Sequence, residues 1–256
     1  MNDSLFLIFL FIFGTAIGSF IKVIADRLPN NEPITGRSHC DLCKKQIADS
    51  DLIPVLSYIL LRGKCRFCHK KLSLLYPVIE IITGIMFVLT WNYVPAGDYL
   101  HRIIYLGIVS VLIVIFFSDL KYQIIPDSVQ LALFVLCLIF IGDNITLRSF
   151  ADAVIAALIV AAPILLLFLG TRGRGMGFGD VKLAFNIGLL LGLESGLIAL
   201  YIAFISGAIF GAGLLLLGRK QLKSKIAFGP FLVIGIILMI FFKNQALDIV
   251  KRIYGL

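Results

Sequence analysis

Eight hydrophobic runs, a quartet of cysteines between the first two, and acidic residues at the ends of later runs predict an all-α polytopic membrane protein. It should have about eight transmembrane helices and a small zinc-ribbon-like insert. Of the 256 residues, 60% are apolar and 12% aromatic, more hydrophobic surface than a water-soluble chain of this length can hide. Runs free of Asp, Glu, Lys and Arg cover 4–21, 81–97, 103–118, 128–142, 153–171, 183–193, 195–218 and 226–242. A membrane-crossing helix needs about 20 apolar residues, with about 17 as the lower end. Most of these runs therefore cross only by borrowing flanking residues, and 183–193 is the shortest.

The first segment, 1–25, carries an acidic rather than a basic start in Met1 to Ser4, and no small-residue cleavage site follows its apolar stretch, so it is expected to stay as a helix. Gly14 and Gly18 within it have the small-residue spacing that lets membrane helices pack closely, as do Gly207 and Gly211.

The second segment, 26–76, is the one sizeable polar piece, and it is too short to be stabilised by an apolar core of its own. Cys40-x-x-Cys43 and Cys65-x-x-Cys68 lie 21 residues apart, the spacing of four-thiolate zinc ribbons. The competing reading is a set of redox-active thiols. It leaves unexplained the basic, turn-prone setting that surrounds the second pair, Gly63-Lys64-Cys65-Arg66-Phe67-Cys68. His39 and His69 stand next to terminal cysteines, but four thiolates already close a tetrahedral site, and a closed site is structural because catalytic zinc keeps a position open.

The third segment, 77–256, holds the remaining helices. Glu80 stands near its start, where a charge must face other helices or a cavity, or else snorkel to the interface. Asp119 ends the third apolar run, and Asp180 follows the glycine-rich stretch Gly175-Met176-Gly177-Phe178-Gly179. Either aspartate alone reads as a solvated helix cap. At matching depth they can form a pair in which one carboxyl holds the proton while the other activates water, so an intramembrane-type aspartic peptidase is expected. Asp127, after Pro126, reads as the cap of the next helix, and Cys137 as core.

The formal net charge of +8 sits in loops rather than on one polar face, which marks topology rather than nucleic-acid binding. With the N-terminus outside, 17 of the 23 basic residues fall inside, among them the cluster at 219–225. The insert's aromatics are Tyr58, Phe67 and Tyr76, too few for a base-stacking surface, and no nucleic-acid partner is expected.

Together these stretches resemble the bacterial prepilin peptidase family, the type IV leader peptidases, which are GxGD-type aspartic enzymes of the inner membrane. Gly14-Thr15-Ala16-Ile17-Gly18-Ser19-Phe20 with Arg27-Leu28-Pro29 resembles the family's N-terminal box, the paired C-x-x-C motifs its cytosolic zinc region, and Tyr76-Pro77 with Glu80 the opening of its second helix. Asp119 through Asp127 resembles the first aspartate motif and Gly177-Phe178-Gly179-Asp180-Val181-Lys182 the second. Lys22 stands where members commonly carry Asn. The resemblance implies catalytic Asp119 and Asp180, structural Zn2+ on Cys40, Cys43, Cys65 and Cys68, and cleavage of the short basic leader of type IV pilin-like, competence or pseudopilin precursors at the cytosolic face. It also implies, for many members, methylation of the new N-terminus with S-adenosylmethionine. The alternative of another class is a membrane-anchored zinc-ribbon adaptor without catalysis. A proton-carrying transporter would leave the four-cysteine insert without a purpose.

Overall fold

The structure, a computed structural model, describes residues 3–40, 42–94, 99–142, 147–217 and 226–254; the basic cluster at 219–225 lies outside the described residues. Helices and turns account for the architecture, with two isolated antiparallel bridges in the insert. The chain divides into two compact units, Met1–Tyr93 and Val94–Leu256.

In the first unit, α1 (Asp3–Arg27) and α3 (Leu75–Tyr93) pack closely because glycines face the partner helix. A Cβ on Gly14 would lie 2.8 Å from the Gly84 Cα, and one on Gly18 would lie 2.7 Å from the Glu80 Cα. Small residues thus let the backbones touch, which lipid-exposed helices need because no hydrophobic effect drives them together. Pro29 ends α1 in a short 3-10 turn, Leu28–Asn30, closed by Asn31 in the left-handed region. The Arg27 guanidinium then donates to the Pro33 and Thr35 carbonyls, 3.1 Å each, and anchors the chain entering the insert. Within the insert a short helix, α2 (Leu56–Leu60), starts from Val55, whose φ of 61° and ψ of −50° are strained for a β-branched residue, by about 1–3 kcal/mol.

The second unit contains α4 (Tyr99–Tyr122), α5 (Asp127–Gly142), α6 (Leu147–Gly170), α7 (Phe178–Leu216) and α8 (Gly229–Tyr254). Ile108, Val109, Leu112 and Ile115 of α4 are fully buried, as suits a helix surrounded by others rather than by lipid. The 39-residue α7 is broken at Gly192, where φ is 76° and ψ is −177°, a conformation open essentially to glycine alone. The break reverses the chain. A Cβ on Gly196 would lie 3.4 Å from the Gly188 Cα, whereas residues eight apart in a straight helix stand about 12 Å apart at 1.5 Å per residue. Residues 178–191 and 193–216 are therefore the two arms of a helical hairpin. Glycines join it to neighbouring helices: its Gly188 abuts Ala156 and Ala157 of α6, and Gly235 of α8 abuts its Ala199 carbonyl.

The eight runs expected from the sequence thus fall on seven helices, with 183–193 and 195–218 sharing the two arms of α7. Six helices among the described residues are long and apolar enough to cross a membrane, and Asp127–Gly142 is a shorter apolar one. The chain is a multi-pass membrane protein.

Candidate active site and metal centre

Asp119 lies one turn before the end of α4, and Asp180 is the third residue of α7; they are 6% and 8% exposed. Burial of a carboxyl is costly unless hydrogen bonds or a charge partner compensate. The fold supplies one backbone donor to each. The Gly229 N–H, at the start of α8, donates to Asp119 Oδ2 over 2.9 Å. The Gly177 N–H donates to Asp180 Oδ2 over 3.0 Å, the reciprocal arm of a helix-start cap. Gly229 is needed for space: a Cβ there would come within 2.7 Å of Asp119 Oδ2.

Ile125 sits between the two motifs, since a Cβ on Gly179 would lie 3.3 Å from its Cβ and one on Gly229 would lie 3.2 Å from its Cδ1. The structure therefore brings the two sequence-predicted aspartates together through the turn at Gln123–Pro126, where Gln123 has a φ of 55° and its N–H returns to the Asp119 carbonyl over 2.9 Å.

Asp127 opens α5, as a cap should, and it does more: its Oδ1 accepts from Lys182 Nζ over 2.6 Å, tying the first aspartate loop to the second. Asp127 is 78% exposed, so this pair contributes little energy. Sequence reasoning passed over two buried residues below the site. The Gln130 side-chain amide donates to the Gly179 carbonyl over 2.8 Å, and Asn186 Nδ2 donates to Gln130 Oε1 over 3.2 Å. Gln130 and Asn186 are 3% and 4% exposed, and Asn186 Oδ1 has no hydrogen-bond partner among the described residues. Their one visible signal is an amide standing inside an otherwise apolar run.

The insert brings its four cysteines together: the sulfurs of Cys40, Cys43, Cys65 and Cys68 all lie within 4.8 Å of one another. Tetrahedral thiolate zinc, at about 2.3 Å per bond, needs sulfurs about 3.8 Å apart, so the quartet fits a metal ion. Each pair sits in the same knuckle. Cys40 N–H donates to the Lys45 carbonyl and Cys65 N–H to the Lys70 carbonyl, 3.0 Å each; Lys44 and His69 N–H return to the first cysteine's carbonyl. Lys44 and His69 both adopt the left-handed region, with φ of 57° and 54°. Among the described residues neither His39 nor His69 joins the cluster. Backbone N–H groups of Cys68 and then Phe67 draw the Cys65 thiol down to about 7, favouring the thiolate that a metal binds. Arg66 forks onto Asp51 at 2.7 and 2.5 Å and holds that carboxyl below the usual range.

Glu80 is buried at 7% exposure. Its Oε2 accepts the N–H of the strained Val55 over 2.7 Å, and Ser19 bonds it as well. The sequence expectation that this charge faces neighbouring helices or a cavity holds, and it turns inward rather than snorkelling.

Residues 12–94 match the bacterial peptidase A24 N-terminal domain, and residues 104–212 match the type IV leader peptidase family. The chain is 30% identical over 233 residues to a prepilin leader peptidase/N-methyltransferase of Bacillus subtilis (strain 168), covering 90% of this chain and 91% of that one. It is 31% identical over 266 residues to the protein of that name from Burkholderia pseudomallei (strain K96243), covering 92% and 85%, and 30% identical over 268 residues to that of Legionella pneumophila, covering 93% and 91%. No solved structure matches it significantly.

Proposed function

Because the chain belongs to the type IV leader peptidase family, we propose that it is an aspartic endopeptidase that removes the short basic leader of pilin-like or pseudopilin precursors and then methylates the new N-terminus. The observation that carries the peptidase reading is the meeting of two buried carboxyls at helix ends, each with one oxygen engaged by a backbone N–H. A zinc-ribbon adaptor without chemistry would have no use for them.

In the proposed reaction Asp119 and Asp180 share one proton. The ionised carboxyl takes a proton from a bound water as the water oxygen bonds to the scissile carbonyl carbon, and the protonated one donates to the carbonyl oxygen. Collapse breaks the C–N bond as the C=O re-forms; the leaving amine receives the proton that the first carboxyl took, and the proton lent to the carbonyl oxygen returns to the second carboxyl. The Gly229 and Gly177 amides hold the two side chains in place, and the glycines beside Asp180 let an extended peptide approach the backbone.

The leader's positive charge keeps it in water, and the excess of basic residues in these loops supports the cytosolic side of a bacterial inner membrane as that face. The exposed apolar residues of α1, such as Phe9 and Ile12, face lipid. Zn2+ on the four thiolates stabilises the insert. S-adenosylmethionine, when bound, would supply the methyl group to the new terminal amine.

The test is cleavage of a synthetic precursor spanning the leader junction by purified protein in micelles, read by mass. Asp119→Asn and Asp180→Asn should each lower the rate by about 10²–10⁴-fold, with membrane insertion unchanged. Full processing by either variant defeats the dyad.

A further inference from the structure

The insert carries an apolar stripe that its own packing does not use. On α2, Ser57, Tyr58 and the following Leu61 face the hollow between the insert and the helices α1 and α3, and the Tyr58 hydroxyl donates to the Leu72 carbonyl over 3.3 Å. Ile53, Leu56, Ile59 and Leu60 point the other way and are 49–72% exposed. Their spacing is that of one helical face.

The height of this stripe follows from α3, a helix long and apolar enough to cross a membrane. Its 19 residues span about 28 Å at 1.5 Å per residue, so crossing a hydrocarbon layer of about 30 Å uses the helix from end to end. Glu80 lies about 7 Å inside the end that starts at Leu75. Its Oε2 accepts the Val55 N–H over 2.7 Å, and α2 begins at the next residue. The clamp therefore holds the start of α2 below the level at which α3 enters the membrane, within the depth of about 5–10 Å that interfacial helices occupy.

Charge completes the pattern. Arg62, Lys64, Lys70 and Lys71 are exposed between the stripe and α3, and none of them pairs with a carboxylate among the described residues. Asp49 and Asp51 of the insert are engaged by Arg37 and Arg66. An apolar stripe followed by unpaired cations suits the acyl boundary and headgroups of an anionic bilayer.

We propose that α2 is an interfacial anchor: its Ile53–Leu60 stripe lies in the acyl boundary of the bilayer that α1 and α3 cross, with the four cations on anionic headgroups. The cysteine knuckles then rest against the lipid surface rather than standing free on their two connections.

Tryptophan fluorescence reads this directly, because Trp91 is the chain's one tryptophan. In full-length Trp91→Phe protein in nanodiscs, Leu56→Trp and Leu60→Trp each put a single probe on the stripe. Leu42→Trp, at a position 54% exposed in the first knuckle, is the reference. Phosphatidylglycerol brominated near the headgroup end of its chains should quench the stripe probes at least about twofold more than the reference, and acrylamide should quench in the reverse order. Stripe probes quenched by acrylamide alone face water, and probes that neither quencher reaches are covered by a second copy or another protein; either result overturns the anchor. Brominated phosphatidylglycerol should also quench more than brominated phosphatidylcholine at equal fraction, and Arg62→Gln, Lys64→Gln, Lys70→Gln and Lys71→Gln combined should erase that difference. Equal quenching by the two lipids before those changes overturns the anionic preference. The unaltered chain gives a check that no substitution can disturb. A lipid with a photoreactive group near the headgroup end of its chains should label the tryptic peptide covering 46–62, and absence of label there overturns the proposal.

Discussion

At the scale of single residues, the two aspartates proposed for catalysis should respond to substitution differently from their acidic neighbour. Asp127→Asn removes an exposed ion pair with Lys182, so cleavage should drop by less than about tenfold, against the far larger loss expected at Asp119 or Asp180; steady-state kinetics on one precursor peptide compare the three. Gln130→Leu should act through stability instead. It leaves the Gly179 carbonyl without its donor, at a cost of about 1–3 kcal/mol, readable as a lower melting temperature in micelles. The aspartates were legible because a charge closing an apolar run is conspicuous, and the cysteines because ligand spacing is short-range. The Gln130 contacts were not, since its partners lie 49 and 56 residues away. Nor was Val55, whose left-handed backbone contradicts the local preference of a β-branched residue.

At the scale of elements, the knuckles and the hairpin each depend on a few atoms. Replacing Cys40 or Cys65 by serine removes a thiolate from a closed set of four. Bound zinc should fall from about one per chain together with protein yield, measured by atomic absorption on purified samples; full metal content with all four cysteines replaced would refute zinc at this site. In α7 the decisive position is Gly192. An alanine there must adopt a conformation that glycine alone takes readily, so Gly192→Ala should lose about 1–3 kcal/mol, while Leu193→Ala next to it, 42% exposed, should be within about 0.5 kcal/mol of wild type. The apolar periodicity revealed both arms, and Glu194 marked the space between them. The sharpness of the reversal could not be read, because it rests on the Gly192 backbone and on the close approach of Gly196 to Gly188.

At the scale of the whole molecule, the reversal at Gly192 returns the chain to the side from which α7 began, in keeping with the sequence parity that assigns the aspartate loops to one face. In a cysteine-free background a thiol at Arg172 should label from the cytosolic side and one at Glu194 from the opposite side; the reverse pattern at Glu194 would redraw the topology. The first arm of that hairpin has a further consequence. Residues 178–191 reach about 21 Å and the 16 residues of α5 about 24 Å, against a hydrocarbon thickness of about 30 Å. Both short pieces carry an aspartate motif at one end. Lipid around them must therefore be compressed or tilted away, at a fraction of a kcal/mol per Å of hydrophobic mismatch. The bilayer then becomes a tuning parameter of the chemistry: reconstituted in vesicles of 14-carbon acyl chains, the enzyme should cleave faster than in vesicles of 20-carbon chains.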